Sequence, residues 1–220
     1  MKKYFLLLVI VLLVWTGAGC SSQKQQEVTK KGEYQVVNTF PLEQVAPGKI
    51  NTMKFIKGEL KASPTGSYVL IGSEKGYLRL LDLAKQKILW ETPLGLGTIS
   101  AIEFSADGKQ ALVGENSPDG YLYCLSIPEG KVLWKFRTAG DVGANLREKS
   151  LPQVTKIVVK DQWAYVTVTR TAKQKGEAQY VSRLYCLRLA SGKIDWTFPA
   201  VGNADANINW VAVSPTGQLA

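Results

Sequence analysis

One pattern recurs in this chain, and it is a pattern of strands. Gly76-Tyr77-Leu78-Arg79-Leu80-Leu81-Asp82-Leu83, a turn, and Lys87-Ile88-Leu89-Trp90 match Gly120-Tyr121-Leu122-Tyr123-Cys124-Leu125-Ser126-Ile127, the turn Pro128-Glu129-Gly130, and Lys131-Val132-Leu133-Trp134. A further copy runs from Ser182-Arg183-Leu184-Tyr185-Cys186-Leu187-Arg188-Leu189 through Ala190-Ser191-Gly192 to Lys193-Ile194-Asp195-Trp196. Self-similarity of this kind points to a stack of small supersecondary units, none able to bury its apolar surface alone.

Each copy follows two more candidate strands. Ile99–Ser105 and Gln110–Gly114 flank Ala106-Asp107-Gly108, and Ser63-Pro64-Thr65-Gly66 precedes Tyr68–Gly72. In the last copy, Val154–Val159 and Trp163–Thr169 flank Lys160-Asp161-Gln162. Asp-Gly and Thr-Gly suit tight hairpins because glycine accepts positive φ without a Cβ clash. The predicted unit is therefore four antiparallel strands. Its tryptophans, Trp90, Trp134 and Trp196, are spaced by 44 and 62 residues, and the shorter spacing is that of a propeller blade. Helices are excluded, because the apolar residues alternate or form short Val, Ile, Leu and Tyr runs broken by Gly or Pro. A β-sandwich would account for the strands but not for their repetition.

These residues resemble the quinoprotein-like propellers, whose blades carry a Tyr-x-x-x-Leu-Asp strand, a Thr-Gly-like turn and an outer-strand Trp. Tyr77, Leu81, Asp82 and Trp90 match, as do Tyr121, Leu125, Gly130 and Trp134, and Leu187, Gly192 and Trp196. Gln86 replaces the turn glycine, Ser126 and Arg188 replace the aspartate, and Arg183 replaces the leading tyrosine. Ser63-Pro64-Thr65-Gly66 and Ser214-Pro215-Thr216-Gly217 resemble turns of the WD-type propellers. The resemblance implies an all-β propeller of four-stranded blades, in which the Trp is a structural wedge and the Gly permits a tight turn. The expected blades are 54–92, 98–137 and 154–199, with 209–220 starting another, so the chain reads as the amino-terminal part of a longer protein. Val36-Val37-Asn38-Thr39-Phe40-Pro41-Leu42 echoes Ile88–Leu94 and suits the outer strand of a last blade.

Ahead of residues 34–220 lies a different kind of segment. Lys2 and Lys3 precede an apolar run from Tyr4 to Trp15 and the small residues Gly17, Ala18 and Gly19, the layout of an export signal over 1–19. The run is shorter than the roughly 20 residues of a spanning helix. Cys20, followed by Ser21 and Ser22, resembles the lipidated cysteine of bacterial lipoproteins, with plain secretion as the alternative. Residues 20–33, rich in Ser, Gln and Lys, read as a polar tether. The expected place is outside the cytoplasm, lipid-anchored to the cell membrane or to an outer membrane facing the periplasm.

Chemistry is constrained mainly by what is missing. The 220 residues contain no histidine, which excludes His-based zinc sites and Ser-His-Asp or Cys-His catalysis within this segment. No phosphate-binding or dinucleotide glycine motif follows a strand. Glu115, Asn116 and Asp119 offer oxygens but too few for a tight calcium site, and read as a solvated turn. The sequence thus nominates no catalytic residue, no metal ligand and no cofactor. Quinoprotein dehydrogenases are expected to carry adjacent cysteines, which this chain lacks. Cys124 and Cys186 occupy equivalent places in successive repeats, about 10 Å apart and beyond the ~7 Å reach of a disulfide, so separate buried thiols are expected.

Two functions stay open: a lipid-anchored scaffold that binds an envelope protein or polymer, as exported propeller lipoproteins of outer-membrane assembly do, and the propeller part of an exported quinone-dependent or other oxidoreductase. The formal charge is +9, and +7 once Lys2 and Lys3 leave with the signal; the scattered cations of an exported chain argue against nucleic acid as a partner. The extra length of the third repeat lies in Gly140–Gln153 and Thr171–Gln179. In a four-stranded meander both connections emerge at one end, bringing Arg147, Lys149, Lys173 and Lys175 to one face, a candidate surface for an acidic partner.

Overall fold

The computed structural model describes residues 58–174, 177–199 and 207–219. The signal, Cys20, the tether and Val36–Leu42 lie outside them, as does Lys175. The described part is almost all β, twelve strands and one four-residue helix in the order β1 (Leu60–Ala62), β2 (Tyr68–Gly72), β3 (Tyr77–Asp82), β4 (Lys87–Pro93), β5 (Thr98–Phe104), β6 (Gln110–Asn116), β7 (Tyr121–Ser126), β8 (Val132–Arg137), α1 (Ala139–Val142), β9 (Gln153–Lys160), β10 (Trp163–Gln174), β11 (Glu177–Arg188) and β12 (Ile194–Phe198).

Every strand pairs antiparallel with the next inside groups of four. One sheet has the order β1-β2-β3-β4, while β5–β8 and β9–β12 are linked by a single bridge between Asn116 and Gln153. The result is a curled, open, propeller-like arrangement of antiparallel sheets. The predicted Ser-x-x-Gly turns recur with one geometry: Gly66, Gly108 and Gly217 donate to Ser63, Ser105 and Ser214 carbonyls, each at 2.9 Å. The serine hydroxyls of the three turns accept from Tyr68, Gln110 and Gln218 amides at 3.0, 2.9 and 2.9 Å.

The packing explains why these strands read as short apolar runs. Successive sheets lie face to face, so both faces of the middle one are buried. Ala111, Val113, Tyr123 and Leu125 pack with Leu70, Leu78 and Leu80 of the first unit. Leu112 and Leu122, of opposite parity on the same strands, pack with Val154, Ile157 and Val166 of the third. Burial of each such Leu, Ile or Val side chain stabilises by about 1.5–3 kcal/mol. Gly72 and Gly114 make the close approach possible, since a Cβ on them would stand 2.4 Å from Ile99 Cγ2 and Val154 Cβ respectively.

The tryptophans join each unit to the next. Trp90 Nε1 donates to Pro128 O at 2.6 Å and Trp134 Nε1 to Leu189 O at 2.8 Å. Their rings cover Gly130 and Gly192, where a Cβ would meet them at 2.7 and 2.5 Å. Turn and wedge are thus one device, the glycine clearing the floor on which the preceding tryptophan rests. Trp196 instead joins Tyr165, Cys186 and Val211 in an apolar cluster. Gln86 adopts φ +52°, close to the +73° and +66° of Gly130 and Gly192, so the substituted turn keeps its backbone shape.

Candidate functional site

The third unit departs most from the repeat. The Thr171–Gln179 insertion is not the loop its polar composition suggests: β10 and β11 continue through it, pairing from Trp163↔Arg188 to Gln174↔Glu177. The Gly140–Gln153 insertion forms α1 and a turn closed by the bridge Asn145↔Ser150. The two insertions touch. Ser150 Oγ donates to Thr171 O, while Arg170 donates from Nε to Val142 O at 2.6 Å and from Nη1 to Ser150 Oγ at 3.1 Å.

Between them lies a cavity of about 260 Å³, lined chiefly by hydroxyls and amides, among them Asn116, Ser150, Gln153, Thr171, Tyr180 and Asn209. Among the described residues no carboxylate or thiol lines it, and Lys149 is its one cation. Such a wall can hydrogen-bond a ligand but carries no pair of groups for acid–base catalysis. Arg147 and Lys149 are exposed beside it, Lys149 at φ +52°. Lys173 stands on β10 opposite Ala178. Exposed apolar side chains mark the same end: Leu96 on the connection from β4 to β5, Leu146 on the turn, and Tyr180 on β11.

Asp141, on α1 within the Gly140–Gln153 insertion, is half-buried and meets two interior side chains. Its carboxylate accepts from Arg183 Nε and Nη2 at 2.8 and 2.9 Å and from the Tyr185 hydroxyl at 2.8 Å. Arg183 and Tyr185 are each 1% exposed. Burial alone would raise the Asp141 pKa, but the hydrogen bonds from Arg183 and Tyr185 and the guanidinium charge outweigh it and hold it below the ordinary carboxylate range. Arg183 replaces the tyrosines of the other repeats because the longer connection brings α1, and with it Asp141, within reach. A sequence signal existed: the one arginine at that repeat position coincides with the one long connection.

Glu115 also corrects the expectation of a solvated turn. It is 1% exposed, and its Oε1 accepts from Ser117 Oγ at 2.6 Å and Tyr121 N at 3.2 Å, which organises the turn from β6 to β7. Asp119 faces outward and pairs with Arg137 at 2.7 Å. Among the described residues no three or more metal-type side chains gather. Cys124 and Cys186 are buried free thiols, burial pushing their pKa values up to about 12 and about 11.

Fold and site define an open, propeller-like all-β domain with a polar, partly cationic face. No protein-family model matches the chain, and no curated protein matches it in sequence. Among solved structures it is similar to Saccharomyces cerevisiae Sqt1, with a TM-score of 0.52 and 15% identity over 73% of this chain and 38% of that one. A chain of the Mitotic Checkpoint Complex matches with a TM-score of 0.51 and 14% identity, over 73% and 44%. BamB from Moraxella catarrhalis matches with a TM-score of 0.46 and 20% identity, over 64% and 35%. The likeness is of fold, to β-propeller proteins, and the chain spans less than half the length of each.

Proposed function

We propose that this chain is a non-enzymatic, extracytoplasmic scaffold of the β-propeller kind, exported by residues 1–19 and tethered through an acylated Cys20, which binds an acidic envelope protein on the face built from the two insertions of its third unit. The contact between Ser150 Oγ and Thr171 O carries the reading, because it makes one continuous surface of segments that composition alone would leave as separate loops. Propeller scaffolds commonly present partners to the loops at one end of their blades. The exposed Arg147 and Lys149 supply the charge, and Lys173 and Lys175 extend it along the sequence. Exposed cations of this kind act mostly on association rate and are screened within about 8 Å at physiological ionic strength.

The test replaces Arg147, Lys149, Lys173 and Lys175 with Ser and follows recovery of envelope partners as salt is raised. Slower association and a flatter salt dependence, with an unchanged melting curve, are expected. Unaltered association in a folded variant overturns the face. Mass spectrometry of the mature amino terminus tests the anchor separately, an unmodified Cys20 or a terminal Ser21 rejecting it.

A further inference from the structure

Strand pairing lines up one row of polar side chains across the second and third units. Asn116 on β6 is bridged to Gln153 on β9, Gln153 pairs with Thr169 on β10, and Thr169 pairs with Ser182 on β11. Residues directly opposite one another on neighbouring strands carry their side chains on the same face. Two amides and two hydroxyls therefore stand in line, about 4.8 Å from strand to strand. Thr169 Oγ1 lies 2.9 Å from both the Ile208 carbonyl and Asn209 Oδ1, and 3.1 Å from Ser182 Oγ. Val211 is buried with Tyr165 and Cys186, so Asn209 and Trp210 are held to the third unit from both sides.

The cavity of about 260 Å³ follows this row, with Asn116, Gln153, Thr169 and Asn209 in its wall. A second cavity, of about 160 Å³, adjoins it: Thr155 lines both, and Asn209 of the first is followed in the chain by Trp210 of the second. The two form one groove beside β9, and together they fall within the roughly 300–1,000 Å³ of small-ligand sites. Trp210 is 66% exposed, with Lys156 Nζ 4.4 Å from its ring centroid. An indole offers an apolar face that gains from being covered and a polar edge that tolerates water.

The wall selects the chemistry of a ligand. Anion sites converge arginines or several free lysines on one point, whereas among the described residues no arginine lines either cavity. Lys61 is held by Glu103 at 2.6 Å, and Lys156 lies over the Trp210 ring. An apolar ligand would leave the amides and hydroxyls without partners. A sugar hydroxyl both donates and accepts, as do the amide and hydroxyl side chains of the row, and the C–H face of a pyranose ring is apolar enough to lie on an indole. We infer that the groove beside β9 binds a short segment of a neutral glycan, with hydroxyls bonded by the amides of Gln153 and Asn209 and one ring stacked on Trp210. This goes beyond the protein contact proposed above, which uses charge on the neighbouring rim; Lys149 borders both.

Binding is measured on the mature full chain with cellopentaose, maltopentaose and N-acetylchitopentaose, each up to millimolar concentration, by calorimetry and by acrylamide quenching of tryptophan fluorescence. At least one should bind and shield Trp210 from the quencher, with an affinity unchanged as salt is raised, since a neutral ligand has no charge to screen. Trp210→Ala should weaken binding about tenfold and abolish the shielding, and Gln153→Ala should weaken it about threefold to tenfold. Both residues are exposed, so both variants should keep the wild-type melting curve. Failure of all three glycans to bind, an affinity that falls with salt, equal binding of a neutral peptide of Ser, Thr and Asn, or unaltered binding by both folded variants each overturns the glycan groove. If no glycan binds while the four serine substitutions still slow the acidic partner, the groove falls and the scaffold reading stands. If a glycan binds as described while those substitutions leave the partner unaffected, the groove stands and the charged face falls.

Discussion

The ring of Trp134 rests on Gly192, and its indole N–H reaches the Leu189 carbonyl at 2.8 Å, so an outer strand of one unit is anchored in the last turn of the next. Gly192→Ala sets a methyl 2.5 Å from Trp134 Cε3 at a φ of +66°. Left-handed backbone costs about 1–2 kcal/mol for a residue with a Cβ, and overpacking adds about 1–3 kcal/mol. The variant should therefore lose roughly 2–5 kcal/mol in urea unfolding, whereas Trp134→Phe, which sacrifices mainly the hydrogen bond, should lose about 1 kcal/mol.

Gln86 offers the converse. It holds φ +52° at an exposed turn where the sister units place glycine. Gln86→Gly removes the left-handed penalty at a smaller entropic cost, and should raise stability by up to about 1 kcal/mol. A melting temperature that falls would mean that the side chain contributes contacts outweighing the strain.

Asp141→Asn should be among the more damaging single changes, since it leaves Arg183 buried beside a neutral partner; a loss of about 3 kcal/mol is expected at neutral pH. The folded carboxyl has a lowered pKa, so its stabilisation is complete above the unfolded value near 3.9 and is lost as pH falls through the folded one. The wild type should accordingly show a steeper acid-side loss of stability than the Asn variant, the two curves converging at the acid end of an unfolding series.

Cys124 and Cys186 should resist alkylation in the folded domain, because burial raises both thiols and leaves little thiolate at pH 8. In a Cys20→Ser background, iodoacetamide labelling followed by mass spectrometry should track unfolding in denaturant. Rapid labelling of either cysteine in native buffer would contradict the packing described for its strand.

The repeating strands, the Ser-x-x-Gly turns and the places of Trp90, Trp134 and Trp196 were legible in the sequence, because each depends on local chemistry: strand runs with both faces apolar, a hydroxyl capping a tight turn, a glycine at positive φ. What a tryptophan rests on was not, since Trp134 and Leu189 are 55 residues apart and meet only through the stacking of units. Gly72 and Gly114 carry no local signal for the same reason, their purpose being visible only against Ile99 and Val154 of the next sheet.

The third unit shows where local reading ends. Composition made Thr171–Gln179 a loop, yet the partner strand completes its hydrogen bonds and draws β10 and β11 out to Gln174 and Glu177. Nothing local marks Asp141, which meets Arg183 and Tyr185, 42 and 44 residues away, only in the folded chain. Sequence alone determined the repeating unit, because hydrogen-bond and side-chain periodicity are set by neighbours along the chain. Tertiary structure decided which carboxylate meets a buried arginine and which face two insertions share, because these depend on desolvation and pairing between segments that meet only when the sheets stack.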